Sequence, residues 1–308
     1  MKRIRTVCLL LAVFMAASVL VGCRTGAGMR YTYEKATLYT AGNGSYAAED
    51  VDSVVIDWVV GSVTLIPDDG AELSFSENAT SLQPEQQLHS YIDGRTLYIR
   101  YCQSEYKGDI PSAQKNLTVE IPTGIPFDVT NISGSVTLCD GTVGESWIIT
   151  TSADVYFENV IGDELYVYTV SGDLDIASLT AQHLYFSSTS GEMDADVMAV
   201  DTPSVELVSG NVEIDALYAE AFEFYTTSGG VDLTLTKDAG GVIDTYSGNV
   251  WVTLPQVSNL TIEFVTETGK LRTQRAYKAG ERKEQYVFGD GTAAGIIIDT
   301  LSGNAEIH

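Results

Sequence analysis

The 308 residues carry 42 acidic against 17 basic side chains, a formal net charge of −25 at pH 7, with 44% hydrophobic and 9% aromatic residues. This charge argues against a nucleic-acid partner, because affinity for phosphates is supplied by Lys and Arg, and from Asn116 to Thr236 the chain has neither. The apolar content excludes a chain disordered by its acidity, since such chains lack the residues a core needs.

At the N-terminus, Lys2, Arg3 and Arg5 precede an uncharged stretch from Thr6 to Gly22, the charged and apolar regions of a secretory signal. The run is shorter than the ~20 residues that span a bilayer. It ends in Leu20-Val21-Gly22-Cys23, which resembles a lipobox. Residues 1–22 are therefore expected to be a lipoprotein signal peptide and Cys23 the lipidated first residue of the mature chain. The membrane is then a partner through that lipid, on the extracytoplasmic face of the cell membrane. Losing three bases with the signal would take the formal net charge from −25 to −28.

Residues 23–49 contain Gly, Ala and Tyr without a clear period and are expected as a tether with at most one strand. The remainder, 50–308, is expected to be one β-solenoid domain. Trp58-Val59-Val60-Gly61-Ser62-Val63-Thr64-Leu65 opens it, followed by strands at Leu73 to Ser76, Leu97 to Tyr101 and Leu117 to Ile121, with a polar, Pro-broken excursion from Glu77 to Ser90.

Beyond residue 125 a Ser-Gly corner followed by alternating apolar residues returns at Gly134, Gly172, Gly191, Gly210, Gly229 and Gly248, with a decayed copy at Ala153. The step is 19 residues throughout. Internal periodicity of this kind is the signature of a solenoid, and the alternative, a jelly roll or sandwich, would not hold phase so long. Residues two and four after each corner, such as Val155 and Phe157 or Leu174 and Ile176, alternate inward. Those five before it, such as Val167 and Phe186, form a second inward row. Glycine at the corner is expected to supply positive φ, and the preceding serines, such as Ser171 and Ser190, a ladder along the axis. The fold class is thus all-β: a single-stranded right-handed β-helix or β-solenoid with 19-residue coils, regular over about 125–270. Further on, Gly269 and Gly303 read as a last coil carrying an inserted hairpin that holds Arg272, Arg275, Lys278, Arg282 and Lys283.

The Ser-Gly-x-Val-x-Ile coils, the strand Leu117-Thr118-Val119-Glu120-Ile121-Pro122, and the closing Gly289-Asp290-Gly291 with Ile297-Ile298-Asp299-Thr300-Leu301-Ser302-Gly303 resemble a bacterial family named as adhesins, of unknown function. The resemblance covers Val51 to His308. It implies a right-handed β-helix-like fold at the cell envelope.

Two outward rows are candidates for binding. Asp175, Asp194, Glu213 and Asp232 fall three residues after successive corners and would stand about one strand spacing, ~4.8 Å, apart. They would bind calcium or a cationic partner such as a cationic peptide, or serve only as a solvated face that blocks aggregation. Trp147, Tyr166 and Tyr185, six before the corner, would stack on a glycan or a host surface, or simply on one another. No other cofactor is expected. Enzymatic readings are weaker: a polysaccharide lyase needs a base or cation that the regular coils lack, and a glycosidase needs only two carboxylates, so the abundant acids single out no pair. His89, His183 and His308 have no partner spacing for zinc. With Cys8 in the signal and Cys23 lipidated, Cys102 and Cys139 could be bridged or remain as two buried thiols. The expected function is non-enzymatic, adhesin-like binding at the envelope, with a structural spacer or envelope-stress sensor, and a carboxylate-pair glycosidase, as alternatives.

Overall fold

A computed structural model describes residues 31–308 except 79–80, 112–114 and 283. The signal peptide, Cys23 and Lys283 lie outside the described residues. Among the described residues no helix is long and apolar enough to cross a membrane.

The chain is an all-β solenoid in which, among the described residues, one continuous sheet winds through 24 strands. Successive coils pair in parallel at an offset of 19 residues: Val155 lies beside Leu174, Leu174 beside Met193, Met193 beside Val212, Val212 beside Val231, and Val231 beside Val250. Ala153 pairs with Gly134 and Gly134 with Gly61, so the decayed and the upstream copies are true members of the stack. β-Branched, aliphatic and aromatic residues alternate with polar ones, which suits a pleated surface with one face buried. The expected inward rows are the core: Val129, Val167, Phe186, Val205, Phe224, Val136, Val155, Leu174 and Leu233 are fully buried. A further inward row, Val160, Leu179, Met198 and Leu217, fills the far corner and was not read from the sequence.

The reason for glycine at the corner differs from the expectation. Positive φ occurs at Gly61, Gly134 and Gly210 only among these corners. What the glycine corners from Gly134 onward share is the carbonyl oxygen of the preceding corner in the stack lying where a Cβ would stand: a Cβ on Gly191 would be 1.9 Å from the Gly172 oxygen, and one on Gly229 1.6 Å from the Gly210 oxygen, whereas at Gly61 the oxygen met is that of Lys115, at 2.5 Å. The backbones approach too closely for any side chain. A second row, three residues before the corner, closes the turn from inside. The corner N–H of Gly172 donates to Thr169 Oγ1 at 2.7 Å, that of Gly191 to Ser188 Oγ at 2.7 Å and that of Gly248 to Thr245 Oγ1 at 2.9 Å. These buried hydroxyls satisfy donors that would otherwise be orphaned. At Gly210 the equivalent position is Leu207, which cannot accept, and there φ is +149°. The serines before the corner do not form a ladder with each other. Ser152, Ser171 and Ser228 instead donate to the carbonyls of Ile132, Thr151 and Val208, each 20 residues earlier.

Both ends depart from chain order. Ser53–Asp68 lies between Phe127–Leu138 on one side and Thr96–Arg100 with Leu117–Pro122 on the other. At the far end Ala294–Thr300 and Ala305–Ile307 insert between the coil of Gly248 and the segments Leu260–Thr266 and Leu271–Thr273. Gly303 therefore stacks on Gly248, and Gly269 on Gly303. The expected last coil is second from the end. Outside these segments the pairing turns antiparallel, through Glu72–Glu77 and Gly44–Ala47 at one end and Gln285–Val287 with Lys278–Ala279 at the other. Such hairpins cover strands whose free edges would otherwise template aggregation.

The tether expected over 23–49 is not one from Tyr31 onward. Tyr31 donates to the Asp57 carbonyl at 3.0 Å, Tyr33 to that of Cys102 at 3.1 Å, and Thr40–Ala41 and Gly44–Ala47 both pair into the sheet. Alternation over so few residues is too short to register as a period. Cys102 and Cys139 are free thiols.

Gly191→Ala should lower the melting temperature by about 5 °C or more, since overpacking of this kind costs about 1–3 kcal/mol and often more. Gly94→Asn, at φ +65° with no atom within 4 Å of the new Cβ, should change it little. A Gly191→Ala variant that melts with the wild type would show that close approach does not select glycine at this corner.

Candidate functional site

The parallel register decides which outward side chains meet. Trp147 lies beside Tyr166, Tyr166 beside Tyr185, and Tyr185 beside Ser204, which in turn lies beside Glu223. The expected aromatic row therefore exists, and Tyr168, in the next outward row, joins it. Trp147 stacks on Tyr166 with ring centroids 4.2 Å apart and 15° between planes, and on Tyr168 at 5.8 Å and 7°; Tyr168 meets Tyr185 at 5.3 Å, tilted by 42°. Acids on the same face orient these rings: Trp147 Nε1 donates to Glu145 at 3.2 Å, Tyr166 to Glu164 at 2.6 Å, and Tyr225 to Glu223 at 3.2 Å. The Glu164 carboxylate beside it pushes the Tyr166 phenol up to about 12.

Where the row passes from Tyr185 to Ser204 the side chain shrinks, and a shallow, open depression of about 340 Å³ results. Tyr166 and Tyr185 stand on one side and Glu223 on the other; His183 and Thr202 flank it, and Leu184, Pro203 and Phe222 contribute apolar lining. Leu184 and Phe222 are buried, so the lining is held by core packing. His183, which the sequence offered no zinc partner, is exposed and its Nδ1 is hydrogen-bonded to Thr202 Oγ1. The sequence signal for the depression was the interruption of an aromatic row by a serine.

The acidic row is also in register: Asp175 lies beside Asp194, Asp194 beside Glu213, and Glu213 beside Asp232. Tyr156 precedes it and Trp251 follows it. Asp194 and its neighbours Asp232 and Asp215 hold the Glu213 carboxyl above the usual range, and partial burial, with Asp173 and Asp194 adding to it, does the same for Asp175. Partial burial also raises Asp232, with Asp215 contributing and His308 opposing. The row is a line along the axis, and among the described residues no three His, Cys, Asp or Glu side chains converge as metal ligands. Calcium would receive carboxylates from neighbouring coils rather than from a cage.

Outside both rows, Lys115 is fully buried and paired with Glu77, and donates to the Gln86 carbonyl at 3.0 Å. Its ammonium lies 5.0 Å from the Trp58 ring centre and 4.8 Å from that of Tyr101. Burial lowers its pKa against the pull of Glu77. The sequence pointed to neither partner. The pair ties the excursion after Glu77 to the first coils, and its hydrogen bonds and ring contacts are those of a structural tie.

The sequence over 52–308 matches the family model described as Toastrack DUF4097. A crystal structure of a candidate lipid binding protein from Parabacteroides distasonis aligns at 17% identity with a TM-score of 0.52, covering 87% of this chain and 97% of that one. A candidate adhesin from Bacteroides fragilis aligns at 13% identity and a TM-score of 0.44, covering 86% and 96%, and a candidate cell adhesion protein from Clostridium sporogenes at 12% and 0.25, covering 87% and 98%. No curated protein matches the sequence.

The like charges of the acidic row repel by about 0.9 kcal/mol per neighbouring pair even at the dielectric of water and strand spacing, before screening by salt. Because the folded chain holds the protons of Asp175, Glu213 and Asp232 to higher pH than the unfolded chain, their contribution to stability is fully present below the ordinary carboxylate range and is lost as pH rises through the raised one. Asp194→Asn with Glu213→Gln should therefore melt a few degrees above wild type at pH 7. The difference should vanish near pH 4. A constant difference across that range would mean that repulsion is not its source, and a calcium shift of equal size in both proteins would show screening alone.

Proposed function

The chain belongs to the Toastrack DUF4097 family, and from that premise we propose that it is a lipid-anchored protein of the extracytoplasmic face that acts by binding rather than by catalysis. The observation that carries this reading is the register itself. Parallel pairing at 19 residues assembles Trp147, Tyr166, Tyr168 and Tyr185 from successive coils into one outward aromatic surface beside a depression. Aromatic surface displayed on a rigid scaffold, rimmed by polar groups, is the composition of a recognition face. On this face the carboxylates of Glu145, Glu164 and Glu223 accept from aromatic donors. That favours an orienting role for them over the opposed acid and base of a glycosidase.

The anchor rests on Lys2, Arg3, Arg5, the apolar run to Gly22, and Cys23. It would hold the solenoid at the membrane surface, with a glycan or another cell surface as partner. The candidate adhesins and the candidate lipid binding protein among the solved structures are binding proteins by name. A second reading, capture of cationic peptides by an envelope-stress sensor, draws on the Asp175–Asp232 row and on the absence of Lys and Arg between Asn116 and Thr236.

Two measurements test the proposal. Cells given an alkynyl palmitate should label the wild type but not Cys23→Ala; an unlabelled wild type would end the lipoprotein claim. The mature chain on an array of glycans and basic peptides should retain a ligand that Trp147→Ala with Tyr166→Ala loses by at least about tenfold, the scale of one well-placed aromatic contact. An array that stays blank would contradict binding as the function.

A further inference from the structure

The depression next to Tyr185 has a chemistry narrower than the face around it. We infer that it is a subsite for one uncharged pyranose ring of a glycan chain, an inference that rests on the binding function proposed above.

Three features exclude other occupants in turn. The first is charge: with 42 acids against 17 bases and no Lys or Arg from Asn116 to Thr236, the field over these coils repels sulfated or uronate-rich chains. The second is the presentation of the rings. Trp147, Tyr166 and Tyr168 cover one another's faces by stacking, with planes within 15° for Trp147 and Tyr166. A cation is attracted to a ring face and not to its edge, so the stacked part of the row is a poor trap for ammonium groups. Tyr185 is the last aromatic residue at this coil position, is tilted from Tyr168 by 42°, and lies beside Ser204 in the next coil.

The third feature is the mixture of donors and acceptors. An ammonium needs acceptors only, and a lipid chain needs neither. The depression offers the hydroxyl of Ser204, the Nε2 of His183, whose Nδ1 is taken by Thr202, and the carboxylate of Glu223, one oxygen of which accepts from Tyr225, around an apolar lining of Tyr185, Pro203 and Phe222. Hydroxyl, imidazole and carboxylate groups surrounding an aromatic side chain match a ring whose hydroxyls point outward and whose C–H face is apolar. At about 340 Å³ the space lies at the small end of ligand sites. Its openness along the sheet lets a longer chain continue past it. Shallow contact of this kind gives weak binding by a single unit, strengthened where several molecules on one membrane engage one polymer.

Ser204→Tyr supplies the test, because it continues the row of Tyr166 and Tyr185 and fills the depression from an outward coil position that carries tyrosine one and two coils earlier. The mature chain is titrated with cellohexaose, maltohexaose, xylohexaose and chitohexaose, and with a heparin hexasaccharide and hexalysine as contrasts. The inference predicts that at least one neutral oligomer binds and heparin does not, that Ser204→Tyr weakens this binding at least tenfold with an unchanged melting temperature, and that Glu223→Gln weakens it less. A neutral ligand that is retained by Ser204→Tyr but lost by Trp147→Ala would overturn the subsite and leave the binding function standing. Hexalysine binding alone, removed by Asp194→Asn with Glu213→Gln, would likewise overturn it in favour of the cationic reading. If nothing binds, the inference and the function beneath it fall together.

Discussion

Each corner of this solenoid places a backbone carbonyl against the Cα of the corner that follows, closer than any side chain would allow. That contact is what the rest of the structure depends on. It requires glycine at almost every corner, with the oxygen of one lying 1.6–2.2 Å from where the next residue's Cβ would stand at Gly134, Gly172, Gly191, Gly210, Gly229, Gly248, Gly269 and Gly303. It fixes the height of one coil on the next, and the hydroxyl row of Thr169, Ser188, Thr226 and Thr245 closes the turn by accepting from the N–H groups of Gly172, Gly191, Gly229 and Gly248. A repeat that contacts only its neighbours gains its stability at those interfaces. Register cannot slip by one residue without moving a whole inward row to solvent.

From that register the outward chemistry follows without further design at the level of single coils. Any residue type repeated at one coil position becomes a line along the axis. Tyrosine and tryptophan six before the corner become a stacked surface; acids three after it become a line of like charge on the outward face, which ends at Tyr156 and Trp251. A single small residue in such a line, Ser204, becomes a depression. The ends need different means, since a parallel stack would leave strands open. One strand at the N-terminal end and two at the C-terminal end are placed in the stack out of chain order and antiparallel hairpins cover what remains, while the buried Lys115–Glu77 pair holds the N-terminal cover in place.

Much of this was legible in the residues, and the exceptions share a cause. The step of 19, the inward rows and the membership of Ala153 could be read because each is a local alternation repeated many times. The role of the corner glycine was misassigned because close approach and positive φ demand the same residue, and only Gly61, Gly134 and Gly210 among the corners combine both. The placing of Gly303 between Gly248 and Gly269 was not legible, since chain order gives no sign of a strand inserted into a stack already built. Residues 31–49 carry too few alternations to register, and their anchoring through Tyr31 and Tyr33 is made to backbone groups distant in sequence. The candidate rows were found because they are periodic; the depression was overlooked because it is the place where a row stops.

Removal of coils from the middle of the stack tests the central claim, that a 19-residue register set at the glycine corners governs everything else. Deletion of residues Gly172 to Ser190 joins Ser171 to Gly191 and restores every corner contact, so the shortened chain should stay folded, keep its β circular dichroism and melt cooperatively within several degrees of wild type. Deletion of ten residues from Gly172 shifts the inward rows out of phase and should leave an unfolded or aggregated chain. Equal damage from both deletions, or equal tolerance of both, would contradict the account.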